Sequence, residues 1–570
     1  MDSIIRPMFR HAVLAAVVLL LAPTLRAASP RPVAGARGMV VAPESQAAAA
    51  GLAVLRDGGN AVDAAVAMAV ALAVTYPRAG NLAGGGFLLY RAPDGTHYAL
   101  DFREIAPAAL TPAMFLGPDG KPDPEKSRSR GLAVAVPGSV AGLVEAHARW
   151  GSRPWASLVA PAIRLAEEGI AVSPLSAAVY AEENARLAAD PAARALFTKD
   201  GTPLPEGHRL VQKDLGATLR LLAQSKSDGF YRGRVGQAIV DAVRAAGGVM
   251  TLDDLATYKV ATREPLVGSY RGLRVVSFPP PSSGGVVLLQ ALAMLERFDL
   301  KASGATSSTT LHRIAEAERR AFADRSRFLG DPGFVDVPVG RLLDRAYLDG
   351  RSRSIRDDRA LPSSEIGPGS LPKERSHTLH VSVADARGAA VALTTTLNSW
   401  FGAAIVAPAT GLLLNNEIDD FALAPGVANQ FGLRGEAANA PAGGKRPLSS
   451  MCPTIVESAS DEPRPLLVLG SPGGGTIISA VLQTILHVVD DGMTLQEAVD
   501  APRVHHQWMP DRLDHETVGI PKDVLDALAA KGHTLHARSF TWNVAAIGRD
   551  DKGRYTGAAD PRGEGVALGY

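Results

Sequence analysis

Residues 377–398, HTLHVSVADARGAAVALTTTLN, could carry a nucleophile. Leu379, Val381 and Val383 alternate with His380 and Ser382, the period of a half-buried strand. Asp385-Ala386-Arg387-Gly388 is a turn signal, and Ala390 to Leu397 is a second run rich in β-branched residues. The two runs form a hairpin. A turn centred between Ala386 and Arg387 sets Thr378 opposite Thr395 or Thr396. Thr396 and Asn398 share one face of the second strand, because side chains alternate sides. The preceding stretch, Ser363 to His377, is polar with Pro and Gly and is expected to be exposed and flexible. A cut at His377–Thr378 would free an α-amine on a threonine, giving a nucleophile and its own base in one residue. Taken alone, a threonine-rich hairpin is also an ordinary piece of sheet, so residues elsewhere must decide.

Several other stretches have chemical potential. Leu412 to Leu414 reads as a short buried strand, and the acidic run Glu417-Ile418-Asp419-Asp420 follows it closely. Pro425 to Pro447 is a glycine-rich loop without periodicity; loops this long inside a compact domain tend to be functional. It leads into Leu448-Ser449-Ser450-Met451. Gly470-Ser471-Pro472-Gly473-Gly474-Gly475 lies between a strand and a helix, where free backbone N–H groups bind anions. No lysine follows in the Walker position, which argues against a nucleotide and leaves an oxyanion hole as the alternative. The glycines from Gly80 to Gly86 run helix, glycines, strand, the reverse of a dinucleotide site, and read as close backbone packing. Neither G-x-S-x-G nor H-E-x-x-H is present. His505, His506, Asp511, Asp514 and His515 form a titratable cluster, but adjacent histidines on an extended chain point to opposite faces, which disfavours one shared metal ion. Arg103, at the charged end of the strand-like Tyr98 to Glu104, reads by default as a solvated surface residue.

These residues need a large scaffold, and 570 residues at 46% hydrophobic and 21% charged provide one. No linker divides the chain. A net charge of +1 gives no electrostatic basis for binding nucleic acid or an anionic membrane surface. A single cysteine, Cys452, excludes an internal disulfide framework. Residues 1–28 have a basic start, an apolar core at Ala12 to Ala22 and Leu25-Arg26-Ala27 as a cleavage signal, so a cleaved secretory peptide is expected. Helices are expected over Pro43 to Asp57, Ala61 to Tyr76 (apolar almost all round, hence buried), Gly138 to Trp150, Ser157 to Gly169, Ser176 to Ala189, Asp214 to Ala223, Gly236 to Ala246, Val286 to Phe298 and Ile477 to Asp490. Thr309 to Phe328 reads as a long helix with charged residues on its outer face. Strands are expected at Phe87 to Tyr90, Leu266 to Phe278, Thr454 to Glu457 and Leu466 to Leu469.

The stretches DFREIAP, LLLNNEIDDF, KRPLSSMCPT, GSPGGG and APRVHHQW, in this order around the Thr378 hairpin, closely resemble the gamma-glutamyltransferase (gamma-glutamyltranspeptidase) family of N-terminal-nucleophile hydrolases, from about Ala28 to Tyr570. The resemblance implies an α+β fold, a four-layer αββα sandwich in which large and small chains fold together. It implies a precursor that cuts itself between His377 and Thr378, giving a large chain 29–377 and a small chain 378–570 that stay associated as a heterodimer. Thr378 would attack the γ-amide of glutathione or another γ-glutamyl compound, and water or an amino acid or dipeptide acceptor would release the γ-glutamyl group. Thr396 would hold the nucleophile, and Gly473 and Gly474 would stabilise the oxyanion. Arg103, Ser449 and Ser450 would hold the donor's α-carboxylate; Asn398, Glu417 and Asp420 would hold its α-ammonium. Some members have Gln where this chain has Glu417. The segment from Pro425 to Arg446 matches a lid loop present in some members, with Phe431 about where bacterial lids often have Tyr. No cofactor, metal or nucleic acid is called for, and the location is periplasmic or secreted. Two alternatives stay open: a family acylase acting on glutaryl-type amides such as cephalosporin side chains, and an inactive secreted binding homologue.

Overall fold

The computed structural model describes residues 29–367, 378–459, 464–539 and 543–570. The expected signal peptide and His377 lie outside them. Two seven-stranded antiparallel sheets organise the chain. In the first, the strand order is Val566–Gly569, Met39–Ala42, Thr378–Ala384, Ala390–Thr396, Gly85–Arg91, His97–Phe102, Ala261–Arg263. In the second it is Val33–Gly35, Tyr555–Ala559, Ala545–Arg549, Pro465–Gly470, Thr454–Glu457, Leu273–Ser277, Leu266–Tyr270. Both sheets draw strands from either side of Thr378, so neither half of the chain could complete a sheet alone.

The alternation read from the sequence sets the layers. Leu379, Val381, Val383, Val391 and Leu393 point to one face of the first sheet and pack with the helices Ser45–Arg56 and Ala61–Thr75. Met39, Val41, Phe87, Leu89 and Ala392 point to the other face and share a core with Ile455, Leu467 and Val468 of the second sheet. The helices Gly284–Leu295, Ser308–Phe328 and Thr476–Val489 add Leu288, Leu311 and Ile478 to that same core. The order is helix, sheet, sheet, helix, the expected αββα sandwich. Ala61–Thr75 is buried along its whole length, as its all-round apolar pattern requires, and opens with an Asn60–Asp63 capping box.

Three local expectations need correction. The Ser308–Phe328 helix does not turn its charges outward: Glu316, Glu318, Arg319, Arg320, Asp324 and Arg325 are all buried. Arg319 and Arg320 both pair with Glu316, and paired charges are the ones a core tolerates. The helix expected at Ser176 to Ala189 is two, Pro174–Glu182 and Asn184–Ala189. At the second, Arg186 donates to the carbonyls of Trp400 and Gly402, a tertiary anchor that helical spacing does not register. Ser363, expected to be exposed, is buried and donates to the Trp508 carbonyl.

Candidate active site

Thr378 starts a central strand and is buried, with Thr396 directly opposite in the register. The Thr396 hydroxyl oxygen accepts the Asn398 N–H at 2.8 Å, which leaves the hydroxyl proton free to donate. Asn398 adopts a left-handed φ of 75°, a conformation asparagine tolerates better than most residues. That reversal ends the strand, and the Asn398 amide donates to the Asn416 carbonyl at 2.9 Å. On the other side of Thr396 lies Gly85, where a Cβ would stand 2.4 Å from a Glu104 carboxylate oxygen. Glycine here makes room for a buried acid.

That acid belongs to a cluster around Arg103. Contrary to its default surface reading, Arg103 is fully buried. Its Nη1 donates to the Glu417 carboxylate, its Nη2 to Asp420 Oδ2 at 2.5 Å, and its Nε to the Pro447 carbonyl at 3.2 Å. Glu104 Oε2 stands 3.5 Å from the same Nη1. Glu417–Asp420 is a single 3-10 turn. Asn415 fixes it by accepting from the Glu417 and Ala135 N–H groups and donating to the Ala83 and Ala135 carbonyls. Burial pushes the Glu104 carboxyl up to about 7 and the Glu417 carboxyl well above the usual range, with Arg103 opposing both shifts. Burial also raises Asp420, again against Arg103. Asp419 turns away, accepting from Ser127, Arg128 and the Gln430 N–H.

Across from the carboxylates stand two serines. Ser449 Oγ accepts the Met451 N–H at 3.1 Å, and Ser450 Oγ accepts from Arg325 Nη2 at 3.2 Å. Neither hydroxyl proton has an acceptor among the described residues. Gly473 and Gly474 have φ of 133° and 54°, reached without strain only by glycine. Their N–H groups have no acceptor among the described residues, the state required of donors that wait for an oxyanion. Beneath this loop, a Cβ on Gly470 would fall 2.3 Å from the ring of His380. His380 is bonded to Thr394 and Ser382 between the sheets, and burial holds it neutral by lowering its pKa to about 3.

Thr378, Thr396, Asn398, Arg103, Glu417, Asp420, Ser449, Ser450, Gly474 and Phe431 line one cavity of about 10 Å³, room for roughly one water. Gly473 adjoins it without lining it. A far larger cavity, about 690 Å³ around Arg130 and Arg186, contains none of these residues. Three residues of the site were not singled out from the sequence. Glu104 lies within DFREIAP, with no role implied by the resemblance. Asn429 ties the loop to the acids: its Nδ2 donates to Asp420 Oδ1 while its Oδ1 accepts the Phe431 and Leu433 N–H groups. Arg325 sits behind Ser450. Neither of the last two had a local signal. The histidines and acids near residue 510 disperse. His505 bonds Ser479 and Gln507, His506 faces Asp511, His515 meets the Glu516 carbonyl, and Asp514 pairs with Arg512 and Arg538.

The family model for gamma-glutamyltranspeptidase matches residues 47–570. A glutathione hydrolase proenzyme of Escherichia coli (strain K12) is 45% identical over 544 residues, covering 95% of this chain and 93% of its own. An acylase ACY 1 proenzyme of Pseudomonas sp. (strain SE83) is 40% identical over 545 residues, covering 94% of each chain. Among solved structures, the cephalosporin acylase from Bacillus halodurans superposes with a TM-score of 0.83 at 28% identity, covering 96% of this chain and 99% of its own. The match to the family model over nearly the whole chain, with a relative at this identity, is decisive: the chain belongs to the gamma-glutamyltranspeptidase family.

Proposed function

We propose that this protein is a self-cleaving gamma-glutamyltransferase and glutathione hydrolase whose nucleophile is Thr378. In the uncut chain the Thr378 nitrogen is a peptide amide and cannot act as a base. Cleavage at His377–Thr378 turns it into an α-amine with a reference pKa of about 7.7–8.0, partly neutral at pH 7. The amine takes the hydroxyl proton as Oγ1 bonds to the γ-carbonyl carbon of the donor. The oxyanion is met by the Gly473 and Gly474 N–H groups; removing one such donor costs about 3–4 kcal/mol. The tetrahedral intermediate collapses, the C–N bond breaks, and the leaving amine takes the proton back. Water, or the amine of an amino acid or dipeptide, then attacks the γ-glutamyl ester and regenerates Thr378. Thr396 orients the nucleophile. The large chain 29–377 and small chain 378–570 stay together because they share both sheets. The expected signal peptide would deliver the protein to the periplasm or outside the cell.

One observation carries the substrate assignment: a cation and two carboxylates, Arg103 with Glu417 and Asp420, line the same cavity as Thr378. A γ-glutamyl donor brings an α-carboxylate for Arg103, Ser449 and Ser450, and an α-ammonium for Asn398, Glu417 and Asp420. Phe431 closes over it as a packing gate. The second reading, a glutaryl acylase, has the acylase relatives in its favour, but a glutaryl group would leave Glu417 and Asp420 without a cation. The test is product release from a chromogenic γ-glutamyl amide, with and without a dipeptide acceptor, beside the glutaryl amide. Faster turnover of the glutaryl amide would overturn the assignment.

A further inference from the structure

Arg325 is a buried guanidinium on the last turn of the Ser308–Phe328 helix. Among the described residues no carboxylate lies within ion-pairing distance of it. Its Nε donates to Ser283 Oγ at 2.9 Å and its Nη2 to Ser450 Oγ at 3.2 Å. Ser283 in turn grips the neighbouring serine, its N–H and its hydroxyl both donating to the Ser449 carbonyl at 2.8 and 2.6 Å. One buried cation therefore stands behind both serines. Arg103 is placed differently, since its fork is already occupied by Glu417, Asp420 and the Pro447 carbonyl.

A hydroxyl that accepts from a guanidinium is polarised to donate its proton, and its best remaining partner is an anion. Ser450 is in this position, and it lines the cavity. We propose that Arg325 is a positioning residue for the donor's α-carboxylate: acting through Ser450, and through Ser283 on Ser449, it makes the serine rim attractive to an anion and so sets which way round the α-carbon binds. This rests on the γ-glutamyl reading of the site. Burial lowers Arg325 to about 10, with Asp420 opposing, so it remains charged at neutral pH.

The test compares two chromogenic donors, a γ-glutamyl anilide and the same compound with its α-carboxylate converted to a carboxamide. Wild-type turnover of the first tests the γ-glutamyl reading; only the change between donors on substitution tests Arg325. For Arg325→Met, KM for the carboxylate donor should rise about tenfold or more, the scale of one charge-assisted hydrogen bond, while kcat and the carboxamide donor change little. Arg325→Lys should recover part of the loss. Arg325→Met combined with Ser450→Ala should lose less than the product of the two single losses, since the two changes share the Ser450 path. Equal losses on both donors, or additive losses in the double variant, would overturn the proposal. If Arg325→Met fails to fold, Arg325→Gln removes the charge while keeping hydrogen-bond donors. A carboxylate-to-carboxamide preference equal to wild type in that folded variant would be the contrary result.

Discussion

Replacing Asp420 by asparagine keeps the shape of the side chain and removes one of the two carboxylates held on Arg103. Asp420 Oδ2 accepts from Arg103 at 2.5 Å and its Oδ1 accepts from Asn429 at 2.9 Å. On the proposed reading, a bound γ-glutamyl donor would take Arg103 with its carboxylate and Asp420 with its ammonium. A charge-assisted hydrogen bond contributes about 1.5–3 kcal/mol, so Asp420→Asn should lower kcat/KM on a γ-glutamyl amide by roughly ten- to a hundredfold. A glutaryl amide behaves differently. It takes Arg103 and offers no cation, stranding Asp420 as a buried, unpaired charge, a situation that costs about 3–5 kcal/mol where it has been measured. The asparagine variant escapes that cost, so the glutaryl-to-γ-glutamyl ratio should rise, by roughly a thousandfold or more if the two effects combine in full. Glu417, also on Arg103, compensates in part, and the double variant with Glu417→Gln should move the ratio further. The assay is kcat/KM on paired chromogenic amides for wild type and variants. An unmoved ratio would mean that Asp420 does not read the α-amino group.

Thr378→Ala should remain a single chain on a gel while Thr378→Ser still cuts, more slowly; two chains in purified Thr378→Ala, the smaller beginning at position 378, would refute self-cleavage by Thr378. Arg103→Lys keeps the charge but cannot reach Glu417, Asp420 and the Pro447 carbonyl together, so kcat/KM should fall about tenfold or more with self-cleavage intact; wild-type kinetics would take Arg103 out of the donor site. Glu318 is buried, and burial raises its carboxyl from 4.5 to about 8 against the opposing hydrogen bonds from Ser479 and from the His506 N–H to its Oε2. The folded state thus holds the proton more tightly than the unfolded state, so stability is lost as pH rises from about 4.5 through 8, and Glu318→Gln should recover up to about 4 kcal/mol of the loss between pH 5 and 8. Melting curves of wild type and variant that run parallel across that range would show that Glu318 is not the source.

The hairpin was legible because a period of two and a turn signal are local properties. Its register was left between Thr395 and Thr396 for a local reason too. The loop runs from Asp385 to Ala389 and centres on Arg387, with Gly388 at a φ of 83°, half a residue beyond the centre the turn signal suggested. Such a shift decides which side chain faces Thr378. Arg103 was not legible from its own surroundings, since a strand running out into charges resembles a surface edge. Its partners lie more than 300 residues away, and only the family resemblance linked them. The Ser308–Phe328 helix misled for the same reason. Its charges look solvated by spacing, but the ion pairs within the helix and the serines behind the site make burial tolerable.

The ion pairs of the site suggest that charge exchange, more than shape, would select the substrate. The cavity holds little more than a water, so a donor must displace side chains that are already satisfied by one another. Arg103 is paired with Glu417 and Asp420, and burial pushes the Glu104 and Glu417 carboxyls up while Arg103 opposes it. On the proposed reading a zwitterion would add no net charge: its carboxylate would replace the acids on Arg103, and its ammonium would replace Arg103 on the acids. Each buried group leaves one partner for another, and none is stranded. A mono-anion completes only half of that exchange and leaves at least one acid uncompensated. On the proposed reading, discrimination in this site would therefore follow from the ion pairs of Arg103, and substitutions that weaken them should loosen specificity along with binding.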